Sequence, residues 1–404
     1  MKKHIKYKNN SFIAFLCIAV ITLTAFADLI PNPTQSTSKN TNAQNVQENL
    51  KSLMKKCYEI QGANRCYEKT ARELLVKASY EDILKAVESN EQLPEITTHC
   101  HEMLHFLGRI EYQHKKDIRD VLNRSSGVCL AGSYHGAVEG YFIDKKIPLN
   151  ARDDSIYTAE FPKICGSRSS YKKEEIYNQC NHGLGHAMML VTEDEIPRSL
   201  KLCDSLNGIK DQEMCYTGVF MENFSSSTNS DHPSKYIKDN DKLYPCDILE
   251  KGYLRICYSL LAPRFLKISN YNWPEAIQLC NSIPEAFKIP CFSTLGSDQV
   301  GSLAKPKEMI DNCKNISIIK YLDACLQGTV RHLIIRYSGN TKLAMELCSG
   351  VSNKYKQNCY SQLGFSLRDW VIDQTQLNKT CEIIQDTTYS GFCIKPDFIE
   401  QKNK

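Results

Sequence analysis

Histidines and glutamates recur four residues apart in the N-terminal half of the chain. Three short segments, HCHEMLH, CLAGSYHGAVEGYF and CNHGLGHAMM, each contain one such pair: His101 and His105, His135 and Glu139, His182 and His186. On a helix, this spacing places both side chains on one face, one turn apart. Imidazole and carboxylate groups bind Zn, Fe, Mn and Cu(II). We therefore predict that these six residues bind a divalent transition metal. Zinc is the metal we favour, and iron, manganese or copper are the alternatives.

The first segment also matches a catalytic pattern. HEMLH fits the zinc-peptidase motif H-E-x-x-H, in which two histidines bind zinc and Glu102 is the general base. A second candidate base, Glu222, lies in CYTGVFMENF. Catalytic zinc needs three protein ligands and an open position for water. The pattern predicts a metal site with hydrolytic or oxidative chemistry, and the alternative is a buried polar network that only supports the helices.

Position relative to the cysteines indicates which side chains point the same way. His135 and His186 are each the sixth residue after a cysteine, so helix geometry aims them alike. Glycines at the third position would permit close helix approach: Gly132, Gly183 and Gly218. His101 and His105 follow their cysteine by one and five residues, roughly 100° away around a helix. Either that helix is rotated, or this pair forms a separate site.

The cysteines indicate how these segments are positioned. Apart from Cys17, which lies in an apolar run, the chain has an even number of cysteines, which in an exported protein implies disulfides. Five of them are spaced by 34 residues: Cys257, Cys291, Cys325, Cys359 and Cys393. We favour pairing each with its short-range neighbour: 57/66, 165/180, 203/215, 246/257, 280/291, 313/325, 348/359 and 381/393, with 100/129 remaining. Spacing alone does not fix this connectivity.

A period near 34 residues is typical of stacked helical hairpins. Because apolar residues recur at helical spacing, we predict an all-α fold, a right-handed α-solenoid of disulfide-linked hairpins. The hairpins resemble Sel1-like cysteine-rich repeat proteins in architecture only, and we take no function from the resemblance. The alternative function is a non-catalytic scaffold that binds a protein or peptide on its concave face, with structural histidines. Scattered histidines and an exposed apolar groove along 246–404 would favour it.

The N-terminus predicts export. Residues 1–27 combine four lysines, an apolar run and the ending Ala-Phe-Ala, typical of a signal peptide cut after Ala27, with an uncleaved anchor as the alternative. We expect a secreted or periplasmic protein without a stable membrane span after cleavage. Without residues 1–27 the basic and acidic residues balance, so a basic attraction to nucleic acid is not supported. After the signal peptide we predict four segments: a disordered linker (28–46), irregular repeats with the His/Glu cluster (47–224), a polar loop (225–245) and regular repeats (246–404). The sequence does not indicate the oligomeric state.

Overall fold

In the described part of the chain, helices are the only regular secondary structure apart from one isolated β-bridge. A computed structural model describes residues 39–60, 64–97, 99–171, 173–226, 234–302 and 305–399. The all-α prediction is confirmed there, because no strand occurs in these ranges. The predicted signal peptide lies outside the described residues. The first helix begins at Lys39, inside the segment 28–46 that we interpreted as a linker.

The helices differ in length. In order they are α1 Lys39–Tyr58, α2 Asn64–Lys77, α3 Tyr80–Asn90, α4 Pro94–Thr97, α5 Cys100–Lys115, α6 Ile118–Arg124, α7 Gly132–Asp144, α8 Ser155–Thr158, α9 Phe161–Ile164, α10 Glu174–Val191, α11 Ile196–Cys203, α12 Ile209–Ser226, α13 Lys251–Ile268, α14 Trp273–Ser282, α15 Glu285–Ser302, α16 Pro306–Lys314, α17 Ile319–Arg336, α18 Lys342–Gly350, α19 Asn353–Leu367, α20 Gln374–Cys381 and α21 Thr387–Ile394. From α13 to α20 long and short helices alternate. Two 3₁₀ turns lie at Arg168–Ser170 and Cys246–Ile248.

The long helices contact one another in chain order, from α5 through α7, α10, α12, α13, α15, α17 and α19 to α21. Most disulfides join a cysteine at or near the end of a short helix to a cysteine within the next helix of the chain. All nine predicted pairings are formed, with Cα–Cα distances of 5.5 to 5.9 Å. Such a framework is typical of proteins that mature in an oxidising compartment.

Local sequence explains where individual helices begin. The side chain of Asn272 accepts a hydrogen bond from the Glu275 amide, and Pro274 follows in the first turn of α14. Asp373 and Asp386 cap α20 and α21 in the same way. These side chains bond amide groups that have no partner inside the helix.

Aromatic rings stack between successive long helices. Phe287 stacks on Tyr258 with ring centroids 4.8 Å apart, and Tyr389 stacks on Tyr360 at 5.1 Å. Between them, Tyr321 stacks on Phe292 at 4.7 Å. In each pair one ring directly follows a cysteine and the other precedes the next long helix's cysteine by four residues. The recurring aromatic residues therefore have a packing role.

Two contacts join parts of the chain that are far apart in sequence. Nη2 of Arg336, at the end of α17, lies 2.8 Å from Oε2 of Glu91, and both side chains are buried. The amide of Glu175, at the start of α10, donates a hydrogen bond to the carbonyl of Asp369. The described residues from Asn40 onward form one compact unit. Among the described helices, none combines the length and apolar character needed to cross a membrane.

The buried carboxyl of Glu175 predicts a pH-dependent stability. Burial raises the pKa of Glu175 from 4.5 to about 7, although the hydrogen bond from Gln179 favours the ionised form. The folded chain therefore binds this proton more tightly than the unfolded chain, and its contribution to stability falls as the pH rises from about 4.5 to about 7. We expect Glu175→Gln to increase the free energy of unfolding by about 3 kcal/mol at pH 8, with little change at pH 4.5.

Denaturant unfolding at both pH values measures this effect. Glu382→Gln, which changes an exposed glutamate, is the matched control and should leave stability unchanged at either pH. Equal effects of Glu175→Gln at pH 4.5 and pH 8 would show that folding does not raise the pKa of this carboxyl.

Candidate metal centre

Five histidine side chains from three helices pack against one another. His101 and His105 come from α5, His135 from α7, and His182 and His186 from α10. The ring of His135 lies parallel to that of His186 with centroids 4.2 Å apart, and its centroid is 5.4 Å from that of His101. His135 is 0% exposed and His186 1%. The α5 pair thus belongs to the same cluster as the other three rings.

Glycines allow these helices to approach closely, as the sequence pattern predicted. A Cβ at Gly132 of α7 would lie 2.6 Å from the carbonyl oxygen of His101. A Cβ at Gly136, one turn later, would lie 1.9 Å from the carbonyl oxygen of His105. Both distances are shorter than van der Waals contact. The absence of a side chain therefore lets α7 lie against the backbone that carries the first histidine pair.

The α5 pair, His101 and His105, is oriented by acceptors on its outer side. Nδ1 of His101 donates to the carbonyl oxygen of Cys129 at 2.9 Å, and Nδ1 of His105 donates to Oε1 of Glu139 at 3.1 Å. Carbonyl and carboxylate oxygens only accept, so both Nδ1 atoms carry a hydrogen. In the neutral ring the other nitrogen then has a free lone pair. The two Nε2 atoms lie 3.1 Å apart.

The α10 pair, His182 and His186, has the same arrangement. Nδ1 of His182 donates to Oγ1 of Thr217 at 2.6 Å, because that hydroxyl donates its own hydrogen to the carbonyl of Met214. Nδ1 of His186 donates to Oε2 of Glu222 at 2.7 Å. The Nε2 atoms of this pair lie 3.2 Å apart.

Each pair therefore directs two nitrogen lone pairs at each other. Either a proton or a metal cation between the nitrogens relieves that repulsion. Two nitrogens bound to one tetrahedral zinc, each roughly 2.0–2.1 Å from the metal, would be about 3.3 Å apart. The observed separations of 3.1 and 3.2 Å match this requirement. Donation of Nδ1–H to an outer acceptor is also the usual arrangement of metal-binding histidines.

His135 lies between the two pairs. Its Nδ1 is 3.4 Å from Nε2 of His105, and its Nε2 is buried without a hydrogen-bond partner among the described residues. A buried polar atom that lacks a partner is costly and calls for an explanation. A metal ligand role for this nitrogen supplies one.

Burial keeps most of the cluster neutral. It lowers the pKa of His101 to about 3, with help from the charge of His105. Burial and neighbouring histidines hold the pKa values of His135 and His182 well below the ordinary value. Burial alone would also lower the pKa of His105, but the charge and hydrogen bond of Glu139 raise it. Neutral imidazole is the form that binds metals.

The two carboxylates beside the cluster differ in exposure. Glu139 pairs with His105 and with Arg109, whose Nε donates to Oε2 at 2.7 Å, and its side chain is 4% exposed. Burial opposes ionisation, but Arg109 and His105 hold the pKa of Glu139 well below its ordinary value. Glu222 is 38% exposed, and its only hydrogen bond among the described residues comes from His186.

Glu102, the other base candidate, lies outside this arrangement. No hydrogen bond among the described residues links it to a cluster histidine. Its charge instead acts on Tyr67 and Lys267, and its Oε2 is buried without a partner.

In three sets of residues, the potential ligand atoms lie within 4.8 Å of one another, close enough to hold a metal ion. The sets are His101, His105 and His135; His135, His182 and His186; and His105, Glu139 and His186. A fourth set consists of Glu91, Cys100 and Cys129, but both sulfurs are in a disulfide and do not offer thiolate ligands.

Sequence patterns missed three groups that position the site. Arg109 had a usable signal, because it follows His105 by four residues and lies on the same face of α5. Thr217 and the carbonyl of Cys129 had none, because an outer acceptor is recognised only once its neighbour is known. No protein-family model, curated protein or solved structure matches the chain.

Proposed function

We propose that this chain is an exported metalloprotein, secreted or periplasmic, whose five-histidine cluster binds a transition metal, with zinc first. The observation that carries the proposal is the outward orientation of four Nδ1–H groups toward oxygen acceptors. As a result, the Nε2 lone pairs of His101 and His105 point toward each other, and so do those of His182 and His186. Within each pair, the two Nε2 atoms are as far apart as two ligands of one metal ion. The right-handed solenoid is the architecture we propose for the repeats.

The arrangement suits a catalytic metal better than a closed structural site. Each set contains three protein ligands, and catalytic zinc keeps its fourth position for water or substrate. A zinc ion held by such a set would supply Lewis-acid chemistry that favours ionisation of a water at the open position. Glu222 is the general base we propose, because it is partly exposed and lies beside His186. Glu139 holds the His105 ring in place through Nδ1.

This assignment differs from a zinc peptidase of the H-E-x-x-H type. In that mechanism the glutamate of the motif activates the water on the metal. Glu102 interacts with Tyr67 and Lys267 and has no bond to the cluster. We therefore propose hydrolytic or oxidative chemistry that uses Glu222, and the protein-binding scaffold with structural histidines is the competing function.

Metal content and thermal stability test the metal site. We expect protein purified without chelators to contain zinc or another transition metal, and chelation to lower the melting temperature. Binding only to the folded state adds about 2.7 kcal/mol of stability when free metal is at 100 times its Kd. His135→Ala and His186→Ala should each contain less bound metal than the unaltered chain.

His114→Ala, which changes an exposed histidine at the end of α5, is the matched control and should keep the full metal content. Unchanged metal content in both cluster variants would contradict the proposal and favour the scaffold.

A further inference from the structure

The two histidine pairs are built on one plan. In each pair the first histidine donates Nδ1–H to an uncharged oxygen, the carbonyl of Cys129 or the hydroxyl of Thr217. The second histidine of each pair donates to a carboxylate on the next long helix, 34 residues later for Glu139 and 36 for Glu222. The α5–α7 and α10–α12 pairs of helices thus repeat the same half-site.

The two half-sites share His135, and one further set, His105, Glu139 and His186, takes one histidine from each pair. Each three-histidine set holds one pair together with His135, and no set among the described residues contains both pairs. Ligand atoms on one ion roughly 2.1 Å away cannot be much more than 4 Å apart. A single ion therefore does not account for both pairs of facing nitrogens.

His135 has no equivalent in the second half-site. It precedes Glu139 by four residues, and the position four residues before Glu222 is Gly218. A Cβ at Gly218 would lie 2.0 Å from the carbonyl oxygen of His182, so no side chain fits there. The residue that completes both three-histidine sets is His135 of α7. His135 has two nitrogens to offer, Nδ1 near His105 and the unpartnered Nε2.

We infer that the cluster binds two transition-metal ions, one between His101 and His105 and one between His182 and His186, with His135 as a ligand to both. To bind the second ion, His135 releases its remaining ring proton to solvent and becomes an imidazolate. The inference rests on the metal binding proposed above and adds its stoichiometry. The second ion lies beside the partly exposed Glu222, whereas the first lies beside Glu139, which Arg109 already neutralises. Chemistry on an external substrate is therefore assigned to the His182/His186 ion.

Stoichiometry is measured on the full chain after removal of metal and dialysis against Zn(II), with metal and protein quantified by elemental analysis. We expect two zinc ions per chain. The double variants His101→Ala/His105→Ala and His182→Ala/His186→Ala should each retain one, and His114→Ala should retain two. Circular dichroism and the absence of free thiols other than that of Cys17 establish that each variant is folded. One ion in the unaltered chain would overturn this inference and leave the metal site itself intact, whereas no ion would overturn both.

Whether the two ions share His135 can be tested by electron paramagnetic resonance of the Cu(II)-loaded protein. This test does not depend on zinc binding by any variant. With Cu(II), two ions that share one imidazole couple magnetically, so the electron paramagnetic resonance intensity per copper should fall when the second equivalent binds. Each double variant loaded with one copper should show full intensity. Full intensity from two bound coppers in the unaltered chain would overturn the shared ligand.

Discussion

Replacing Glu91 with Gln should lower the free energy of unfolding by about 3–5 kcal/mol, because it leaves the guanidinium of Arg336 buried beside a neutral side chain. Oε2 of Glu91 accepts from Nε and Nη2 of Arg336 at 3.0 and 2.8 Å, and both side chains are less than a tenth exposed. The pair joins segments 245 residues apart. Its loss should separate the end of α17 from the N-terminal helices.

The same substitution should weaken metal binding. Oε1 of Glu91 accepts from the amide of Cys129, and the carbonyl of Cys129 orients His101. Cys129, Leu130 and Ala131 all have left-handed φ values, 51°, 55° and 61°. This conformation is costly for residues with side chains and persists only where the surroundings impose it. Glu91, together with the disulfide to Cys100, imposes it here.

Urea unfolding and zinc titration of Glu91→Gln measure the two effects. The double variant Glu91→Gln/Arg336→Met removes the unpaired charge and should recover part of the lost stability. Lys69→Gln, which breaks an exposed ion pair with Glu73, is the control and should change neither property. Loss of stability with unchanged zinc affinity would contradict the proposed link from Glu91 through Cys129 to His101.

Gly136→Ala should destabilise the fold by about 3 kcal/mol or more, because α5 and α7 have no space for a methyl group at their closest approach. The new Cβ would lie 1.9 Å from the carbonyl oxygen of His105 and 2.7 Å from its Cα. These are backbone atoms, so the helices must separate. We expect the variant also to lose zinc affinity, because His135 is the residue before Gly136.

Thermal unfolding and zinc titration of Gly136→Ala test this. The matched control is Gly391→Ala in α21, where a Cβ would meet nothing within 4 Å. That change should stabilise the fold by about 0.5–1 kcal/mol, because alanine loses less backbone entropy in a helix than glycine. A Gly136→Ala protein as stable as the unaltered chain would show that α5 and α7 are not packed this closely.

Much of the framework could be predicted from local patterns. Helical periodicity indicated an all-α fold, and the short spacing of the cysteines indicated the disulfides, including the pairing of Cys100 with Cys129. The i,i+4 pairs correctly identified His182 and His186 as neighbours with facing nitrogens. Each of these features depends on residues close in sequence, where helix geometry alone fixes the relative position.

Sequence spacing did not predict the neighbours of the carboxylates of Glu139 and Glu102. Spacing placed Glu139 with His135, four residues before it, but its hydrogen bond comes from His105 on another helix. Spacing likewise nominated Glu102 as a base through the HEMLH motif, yet its charge acts on Tyr67 and Lys267. A side chain at a helix surface has neighbours on its own helix and on the next one, and only packing decides between them.

What the sequence determined by itself is thus the helices, their disulfides and which side chains share a helix face. Tertiary structure decided that α5 turns its pair toward His135, although counting from its cysteine placed that pair about 100° away. It also supplied Thr217 and the carbonyl of Cys129 as acceptors and joined Glu91 to Arg336. The physical reason is that helix rotation is set by contacts such as Gly136 against His105, which depend on residues distant in the chain.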